Sequence, residues 1–225
     1  MQLDFGQREL TIKLVYYGPA LSGKTTNLQS LHRRTSATSR GRLMTLETRD
    51  DRTLFFDLLP IHFESQGGLR LRLKLFTVPG QVMHDATRRL VLQAVDGVAF
   101  VADSRKSQTK ANADSFQNLR ANLRDNGLEI RDLPLVIQFN KRDLPDTRPD
   151  DEIHDLARRG REPVFLATAT DDVGTIETFL GLVRTTWDSL DHAHGLTAKF
   201  GIGTDDFVGH LVEHLGLPPD AARAG

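Results

Sequence analysis

The chain of 225 residues is long enough for one domain with an appendage or for two small domains, at roughly 100–200 residues per domain. Hydrophobic residues make up 39% and charged residues 26%, which is typical of a folded globular protein and excludes a disordered, collagen-like or coiled-coil chain. The 29 Lys and Arg nearly balance the 30 Asp and Glu, and the net charge of -1 provides no general attraction for nucleic acid or an anionic membrane.

Two absences from the sequence narrow the class of protein further. The chain has no cysteine, which excludes disulfides, thiolate metal sites and catalytic thiols. Its first residues lack a basic segment followed by an apolar run, position 2 is not glycine, and no stretch approaches the roughly 20 apolar residues that cross a bilayer. We therefore expect a cytoplasmic protein with no intrinsic membrane anchor and no nucleic-acid partner.

Strands and helices alternate along most of the chain. Residues 10–17 predict a strand that runs into a glycine-rich loop, and residues 25–34 predict a helix after it. Residues 54–64 and 69–78 flank a glycine-containing turn and predict a β-hairpin, whose second arm alternates Leu with Arg or Lys. This alternation predicts an α/β fold, a mostly parallel sheet with helices on both faces. The remaining predicted elements are helix 82–93, strand 97–102, helix 110–126, strand 135–139, helix 151–159, strand 164–167 and helix 175–190.

The loop after the first predicted strand matches the phosphate-binding pattern G-x-x-x-x-G-K-[ST]. Backbone N–H groups of such a loop surround phosphate oxygens, its lysine reaches the β- and γ-phosphates, and its last hydroxyl binds Mg²⁺. A chance glycine-rich turn is the alternative, but the strand before the loop and the helix after it are the context that the motif requires. The predicted phosphate-binding residues are Gly18, Ala20, Leu21, Ser22, Gly23, Lys24, Thr25 and Thr26, with Thr25 also a Mg²⁺ ligand.

A second motif indicates which base is bound. Asn140, Lys141 and Asp143 form N-K-x-D at the end of a predicted strand, where open α/β sheets bind ligands. The Asp143 carboxylate can accept hydrogen bonds from two donors of guanine that adenine lacks. Asn140 would tie this loop to the phosphate loop, and the Lys141 stem can lie on the base plane. Alone, the four letters could be a charged turn, but downstream of a phosphate loop they predict GTP and GDP as the ligands.

With these motifs, the chain resembles the Ras-like small GTPases over about residues 9–190. More narrowly, the segments VYYGP at 15–19, DRTLFFD at 51–57 and TVPGQ at 77–81 are similar to the bacterial gliding-motility and polarity GTPases. The resemblance implies a P-loop NTPase fold of five or six strands with one antiparallel edge strand. It also implies a GTP-binding and GTP-hydrolysing molecular switch, slow without an activating partner, that controls cell polarity or gliding motility.

The resemblance assigns roles to residues of two switch segments near positions 46–56 and 80–89. Thr53 would complete the Mg²⁺ shell when GTP is bound, and Gly80 would offer its N–H to the γ-phosphate. Gln81 would orient the attacking water, and Arg52 would stabilise the transition state in cis. Gln81 and Arg52 are therefore the predicted catalytic residues, and Thr25 and Thr53 the predicted metal ligands.

Two positions and one loop depart from the pattern of these relatives. Thr77 stands where Ras-like proteins generally carry the Asp that holds a Mg²⁺ water, and the gliding-motility branch has Thr there as well. Ala20 stands where that branch usually has Gly, beside the γ-phosphate. Thr168, Ala169 and Thr170, in the loop predicted to contact guanine, stand where many relatives read Ser-Ala-Lys. The first two departures leave open a nucleotide-bound docking module that does not hydrolyse GTP.

The partners are implied by the resemblance alone. It implies a roadblock-type homodimeric GTPase-activating protein, together with an effector and an exchange factor that the sequence does not identify. The chain alone would be a monomer. A P-loop kinase or ATPase is a further alternative, but it would need an arginine-rich lid and a base site other than N-K-x-D, and no such lid is recognisable.

The division predicted for the chain is a GTPase domain at 1–194 and a C-terminal extension at 195–225. The extension is predicted to contain one amphipathic helix that begins near Thr204 and ends before Gly216. This helix could dock on the chain's own domain or on a partner. His210, Glu213 and His214 match H-x-x-E-H, the zinc peptidase pattern, so a zinc-binding tail is a remote alternative.

Overall fold

The computed structural model describes residues 1–4, 6–38, 40–46, 56–64, 68–80 and 84–223. In this part of the chain, eight strands form one sheet with helices on both faces. The strands are β1 (Gln2–Asp4), β2 (Glu9–Tyr17), β3 (Met44–Leu46), β4 (Phe56–Glu64), β5 (Arg70–Thr77), β6 (Gly97–Asp103), β7 (Leu135–Asn140) and β8 (Val164–Leu166). The helices are α1 (Lys24–Arg34), α2 (Asp85–Val91), α3 (Thr109–Asp125), α4 (Asp150–Arg159), α5 (Thr175–His194), α6 (Leu196–Phe200) and α7 (Thr204–His214), with short 3-10 turns at Lys106–Gln108, Ile130–Asp132, Ala169–Asp171 and Pro219–Arg223.

The sheet has the order β3-β4-β5-β2-β6-β7-β8. Strands β5, β2, β6, β7 and β8 run parallel, and the β4–β5 hairpin is antiparallel. Strand β1 pairs antiparallel with the first residues of β2, and β6 pairs with the last four, so both share one edge of β2. The predicted α/β fold class is confirmed.

Two details of the predicted sheet are corrected. The resemblance implied five or six strands, whereas the described residues form eight, because β1 and β3 add three residues each. The hairpin strand β4 is also not outermost, since β3 pairs with its first residues. Strands this short carry too little of a two-residue hydrophobic period to be recognised in a sequence.

The alternation of β5 is found as predicted and helps to define the core. Leu69, Leu71, Leu73 and Leu75 are buried on one face of the sheet, together with the inward residues of β2 and β4. This face is covered by α1, α5 and α7, and the opposite face is covered by α2 and α3. The sheet therefore separates two hydrophobic clusters and presents its carboxyl edge to the loops that follow the parallel strands.

The C-terminal extension packs onto the chain's own sheet. Phe207 of α7 is fully buried, with its ring stacked on Trp187 of α5 at a centroid distance of 3.9 Å and near Phe63 of β4 at 5.5 Å. Leu215 also anchors the end of the extension, because its carbonyl accepts a hydrogen bond from the backbone N–H of Ser36 at 2.8 Å. The structure thus favours docking in cis over an unoccupied partner-binding helix. It also corrects the prediction of a single helix, because α6 precedes α7.

Candidate functional site

The glycine-rich loop joins β2 to α1 with no room for side chains at two of its glycines. Gly18 has φ +150° and Gly23 has φ +100°, values that L side chains rarely adopt. A Cβ at Gly18 would lie 2.2 Å from the carbonyl oxygen of Val101, and one at Gly23 would lie 2.1 Å from Asn140 Nδ2. The loop leads directly into the first turn of α1, which contains no acidic residue, so backbone N–H groups there can bind an anion.

Lys24 lies folded over this loop. Its Nζ donates hydrogen bonds to the carbonyl oxygens of Gly18 at 3.0 Å and Pro19 at 2.7 Å, and the side chain is buried. Burial, together with the positive charge of Arg88, lowers the pKa of Lys24 to about 7, although the carboxylate of Asp57 acts in the opposite direction. A buried ammonium with so low a pKa is a group that an anionic ligand would stabilise strongly.

A buried carboxylate meets the first turn of α1. Thr25 Oγ1 donates to Asp57 Oδ2 at 2.6 Å, and Thr77 Oγ1 donates to the same oxygen at 3.0 Å. The backbone N–H of Asp57 donates to Thr77 Oγ1 at 2.9 Å. Helix α1, through Thr25, and strand β5, through Thr77, thus both hold the carboxylate. The sequence interpretation gave Asp57 no role. One feature of the sequence could have indicated a role for Asp57. It lies on the same face of β4 as the buried Leu59 and Ile61, where a charged residue is unexpected.

The segment that follows β5 lies against the phosphate loop. A Cβ at Gly80 would come within 2.3 Å of the backbone nitrogen of Ala20, so position 80 accepts only glycine in this arrangement. Arg88 of α2 is buried, and its guanidinium donates to the carbonyl oxygen of Pro79 at 3.3 Å and to Asp85 Oδ1 at 2.9 Å. The backbone at Gly80 is therefore within reach of a ligand in the loop.

Asn140 joins the base loop to the phosphate loop. Its Nδ2 donates to the carbonyl oxygen of Ser22 at 2.8 Å, and its Oδ1 accepts from the backbone N–H of Ala169 at 3.0 Å. The backbone N–H of Thr168 donates to the carbonyl oxygen of Val173 at 3.0 Å and closes the loop around Ala169. One amide thus connects the three segments in which the sequence predicts the phosphate and guanine contacts.

Lys141 and Asp143, which follow Asn140, have different surroundings. Lys141 has φ +67°, and its Nζ donates to Asp103 Oδ2 at 2.8 Å, while Asp143 is exposed to solvent. Burial would raise the pKa of Asp103, but hydrogen bonds from Arg105 and Lys141 outweigh it and hold the pKa at about 2. Asp103 was also missed in the sequence, where it reads only as the last residue of an apolar strand.

The remaining predicted residues contribute in different degrees. Leu21 has φ +60° and is 88% exposed, so its side chain points away from the loop. Ser22 is buried, and its hydroxyl has no hydrogen-bond partner among the described residues. Thr26 is half-buried in the first turn of α1. The predicted catalytic residues Arg52 and Gln81 and the predicted metal ligand Thr53 lie outside the described residues.

Comparison with known proteins shows which family the chain resembles. No protein-family model matches the chain. The mutual gliding-motility protein MglA of Myxococcus xanthus (strain DK1622) is 44% identical over 182 residues, which span 81% of this chain and 93% of that protein. The chain belongs to the MglA family.

Membership of the MglA family agrees with the geometry of the site. The protein is a Ras-like small GTPase and a molecular switch, and it binds guanine nucleotide, as the phosphate loop and N-K-x-D predict. The kinase and ATPase alternative is thereby wrong, and the docking module without hydrolysis is not favoured. A GTPase of the MglA type also implies regulatory partners in general. None of the described helices is both long enough and apolar enough to span a membrane.

The zinc alternative finds no support in this MglA-type chain. His210, Glu213 and His214 border a polar cavity of about 300 Å³ together with Thr38 and Glu64. Within the described ranges, however, no group of three His, Asp or Glu side chains is arranged to hold a metal ion. The H-x-x-E-H pattern arises because the polar side of α7 carries these residues while its apolar side faces the core.

Proposed function

We propose that the loop junction binds GTP and GDP with Mg²⁺, and that the switch controls bacterial gliding motility or cell polarity. The observation that carries this proposal is the pair of hydrogen bonds of Asn140, at 2.8 and 3.0 Å, which brings the phosphate loop and the base loop into one site. The phosphates would lie at residues 18–26, and the guanine would lie beside Lys141, Asp143 and Ala169. The cellular process rests on the name of the M. xanthus relative.

The residues present fit a Mg²⁺ ion. Mg²⁺ prefers oxygen ligands and is usually held by one or two carboxylates or hydroxyls plus phosphates and water. The Thr25 hydroxyl and the buried Asp57 carboxylate, 2.6 Å apart, supply this chemistry at the start of α1. Asp57 would thus replace the carboxylate that is missing at Thr77, and Thr53 would join only in the GTP state. When bound, the ion neutralises charge on the β- and γ-phosphates.

Hydrolysis is proposed to use the two switch segments. Gly80, whose backbone lies against Ala20, would donate its N–H to the γ-phosphate. Gln81 would orient the water that attacks the γ-phosphorus, and Arg52 would neutralise the charge that spreads over the γ-phosphoryl oxygens in the transition state. Turnover would be slow until a roadblock-type homodimer repositions these side chains. The effector and the exchange factor are separate partners that the residues do not identify.

Nucleotide identity tests the base assignment directly. Purified protein is denatured, and the released nucleotide is identified by chromatography. We expect guanine nucleotide because the N-K-x-D loop is joined to the phosphate loop. Adenine nucleotide in stoichiometric amount would contradict the proposal.

The metal assignment is tested with Asp57→Asn, which keeps the shape of the side chain and removes its charge. Release of a fluorescent GDP analogue is followed with Mg²⁺ and with excess chelator. The wild type should release nucleotide faster in chelator, whereas the variant should need about 10- to 100-fold more Mg²⁺ to slow release. Asp114→Asn, at an exposed position on α3, is the matched control. Wild-type Mg²⁺ dependence in Asp57→Asn would exclude Asp57 from the metal site.

A further inference from the structure

Asp103 lies at the carboxyl end of β6, beside the first residue of the guanine motif. In the parallel pairing of β6 with β7, Asp103 is the partner of Asn140, and the backbone N–H of Ser104 donates to the carbonyl oxygen of Asn140 at 2.9 Å. The Asp103 side chain is only 4% exposed. Its main chain is held as well, because Asn112 exchanges two hydrogen bonds with its N–H and C=O at 3.0 and 2.8 Å. Asp103 is therefore a fixed point at the edge of the proposed base site.

Two cations, one close to Asp103 in the sequence and one distant from it, form ion pairs with this carboxylate. Lys141 Nζ donates to Oδ2 at 2.8 Å. Arg105 donates with Nη2 to Oδ2 at 2.8 Å and with Nε to Oδ1 at 3.1 Å, in the bidentate geometry that makes such pairs strong. The low pKa of Asp103, about 2, keeps the carboxylate ionised at any physiological pH.

Lys141 itself needs an anchor. Its backbone has φ +67°, a left-handed conformation that non-glycine residues seldom adopt, and its side chain is a flexible stem of four methylene groups. With the backbone fixed at one end and Nζ held by Asp103 at the other, the methylene groups form a defined apolar wall. Without Asp103, the stem would sample many rotamers. Its ammonium, whose charge already lowers the pKa of Lys24, would also lose its counter-charge.

We propose that Asp103 is a positioning residue of the guanine-base site, acting through Lys141. It rests on the proposed placement of the base against the Lys141 stem. The carboxylate does not contact the nucleotide. It holds the lysine in the conformation that a flat base can pack against, so nucleotide binding does not have to order that stem.

A double-mutant cycle tests the coupling between the two residues. Asp103→Asn keeps the shape and removes the charge, and Lys141→Met keeps the apolar stem and removes the ammonium. Each single variant should release a fluorescent GDP analogue about tenfold faster than wild type, measured with excess chelator so that Mg²⁺ does not contribute. The double variant should be no faster than either single one, because the same interaction is lost. Asp114→Asn, the exposed control on α3, should release the analogue at the wild-type rate.

The cycle also has outcomes that overturn the proposal. Unchanged release in Asp103→Asn would remove Asp103 from nucleotide binding. Factors that multiply in the double variant, to about a hundredfold, would mean that Asp103 acts independently of Lys141. If Asp103→Asn does not fold, Asp103→Glu, which keeps the charge but displaces it by one methylene group, takes its place with the same two outcomes. Failure of the wild type to bind the GDP analogue at all would instead overturn the proposed function.

Discussion

The buried ammonium of Lys24 predicts that nucleotide binding takes up a proton. In the structure, burial and the charge of Arg88 hold the pKa of Lys24 near 7, whereas its ordinary value is 10.5. In protein stripped of nucleotide at pH 8, about nine Lys24 side chains in ten would therefore be neutral. Phosphate oxygens that the proposed site would place beside Nζ would favour the charged form and raise the pKa again. Binding should then take up about 0.9 proton per nucleotide at pH 8.

The same shift fixes the sign of two pH effects. Nucleotide affinity should weaken by about fivefold from pH 7 to pH 8, because a growing fraction of the protein must first be protonated. The unfolded chain, with the ordinary pKa, binds more protons than the folded one between pH 7 and 10.5. The Lys24 contribution should therefore make the stripped protein more stable as the pH rises through this window.

Calorimetry at a single pH measures the proton directly. The apparent binding enthalpy of GDP is determined at pH 8 in buffers with different ionisation enthalpies, and its slope gives the number of protons taken up. Lys24→Arg is the matched control, because its guanidinium stays protonated and should show no uptake even if affinity falls. Equal slopes for the wild type and Lys24→Arg would refute the assignment of the proton to Lys24.

Three further tests concern the base site, the extension and the catalytic residues. Asp143→Asn should weaken GDP binding by about 1–3 kcal/mol and favour xanthine nucleotide, because one of the two carboxylate acceptors that face the guanine N–H groups becomes a donor. Competition binding between the two nucleotides measures this. Phe207→Ala should lower the free energy of unfolding, measured by urea denaturation, by about 3–5 kcal/mol, because it leaves a cavity at a fully buried site. The control Leu156→Ala, at an exposed position on α4, should lower it far less. Arg52→Ala and Gln81→Leu should slow single-turnover hydrolysis with the activating protein, the former by about 10³-fold or more, with GTP affinity nearly unchanged. An Arg52→Ala protein as fast as the wild type would assign the arginine role to the partner.

The parts of the fold that were predictable depend on local sequence. The glycines at 18 and 23 and the N-K-x-D residues mark loops whose backbone geometry is set within a few residues, and parallel strands bring such loops to one edge of the sheet. The bond from Asn140 to the phosphate loop therefore follows from pattern and topology together. The docking of α7 was one of two possibilities, because an apolar helix face does not identify what covers it.

The carboxylates that were missed depend on pairing between strands. Asp57 matters because β4 places it beside Thr77 of β5 and within reach of Thr25, three segments separated in the sequence. Asp103 matters because the β6–β7 pairing puts it next to the N-K-x-D loop. The alternation of a single strand shows that a charged residue faces inward, but only the register with its neighbours shows what it meets.

The burial of the cations around the phosphate loop determines how nucleotide affinity should depend on the salt concentration. Lys24 and Arg88 are buried and Lys141 is half-buried, while the chain as a whole has a net charge of -1. Dissolved ions screen exposed charges over about 8 Å at 0.15 M salt, but they screen buried charges much less. A nucleotide bound at the proposed site would thus be attracted by charges that salt screens weakly, while the outer surface has little general attraction for polyanions. Added salt should therefore weaken nucleotide affinity far less than it weakens the exposed ion pairs.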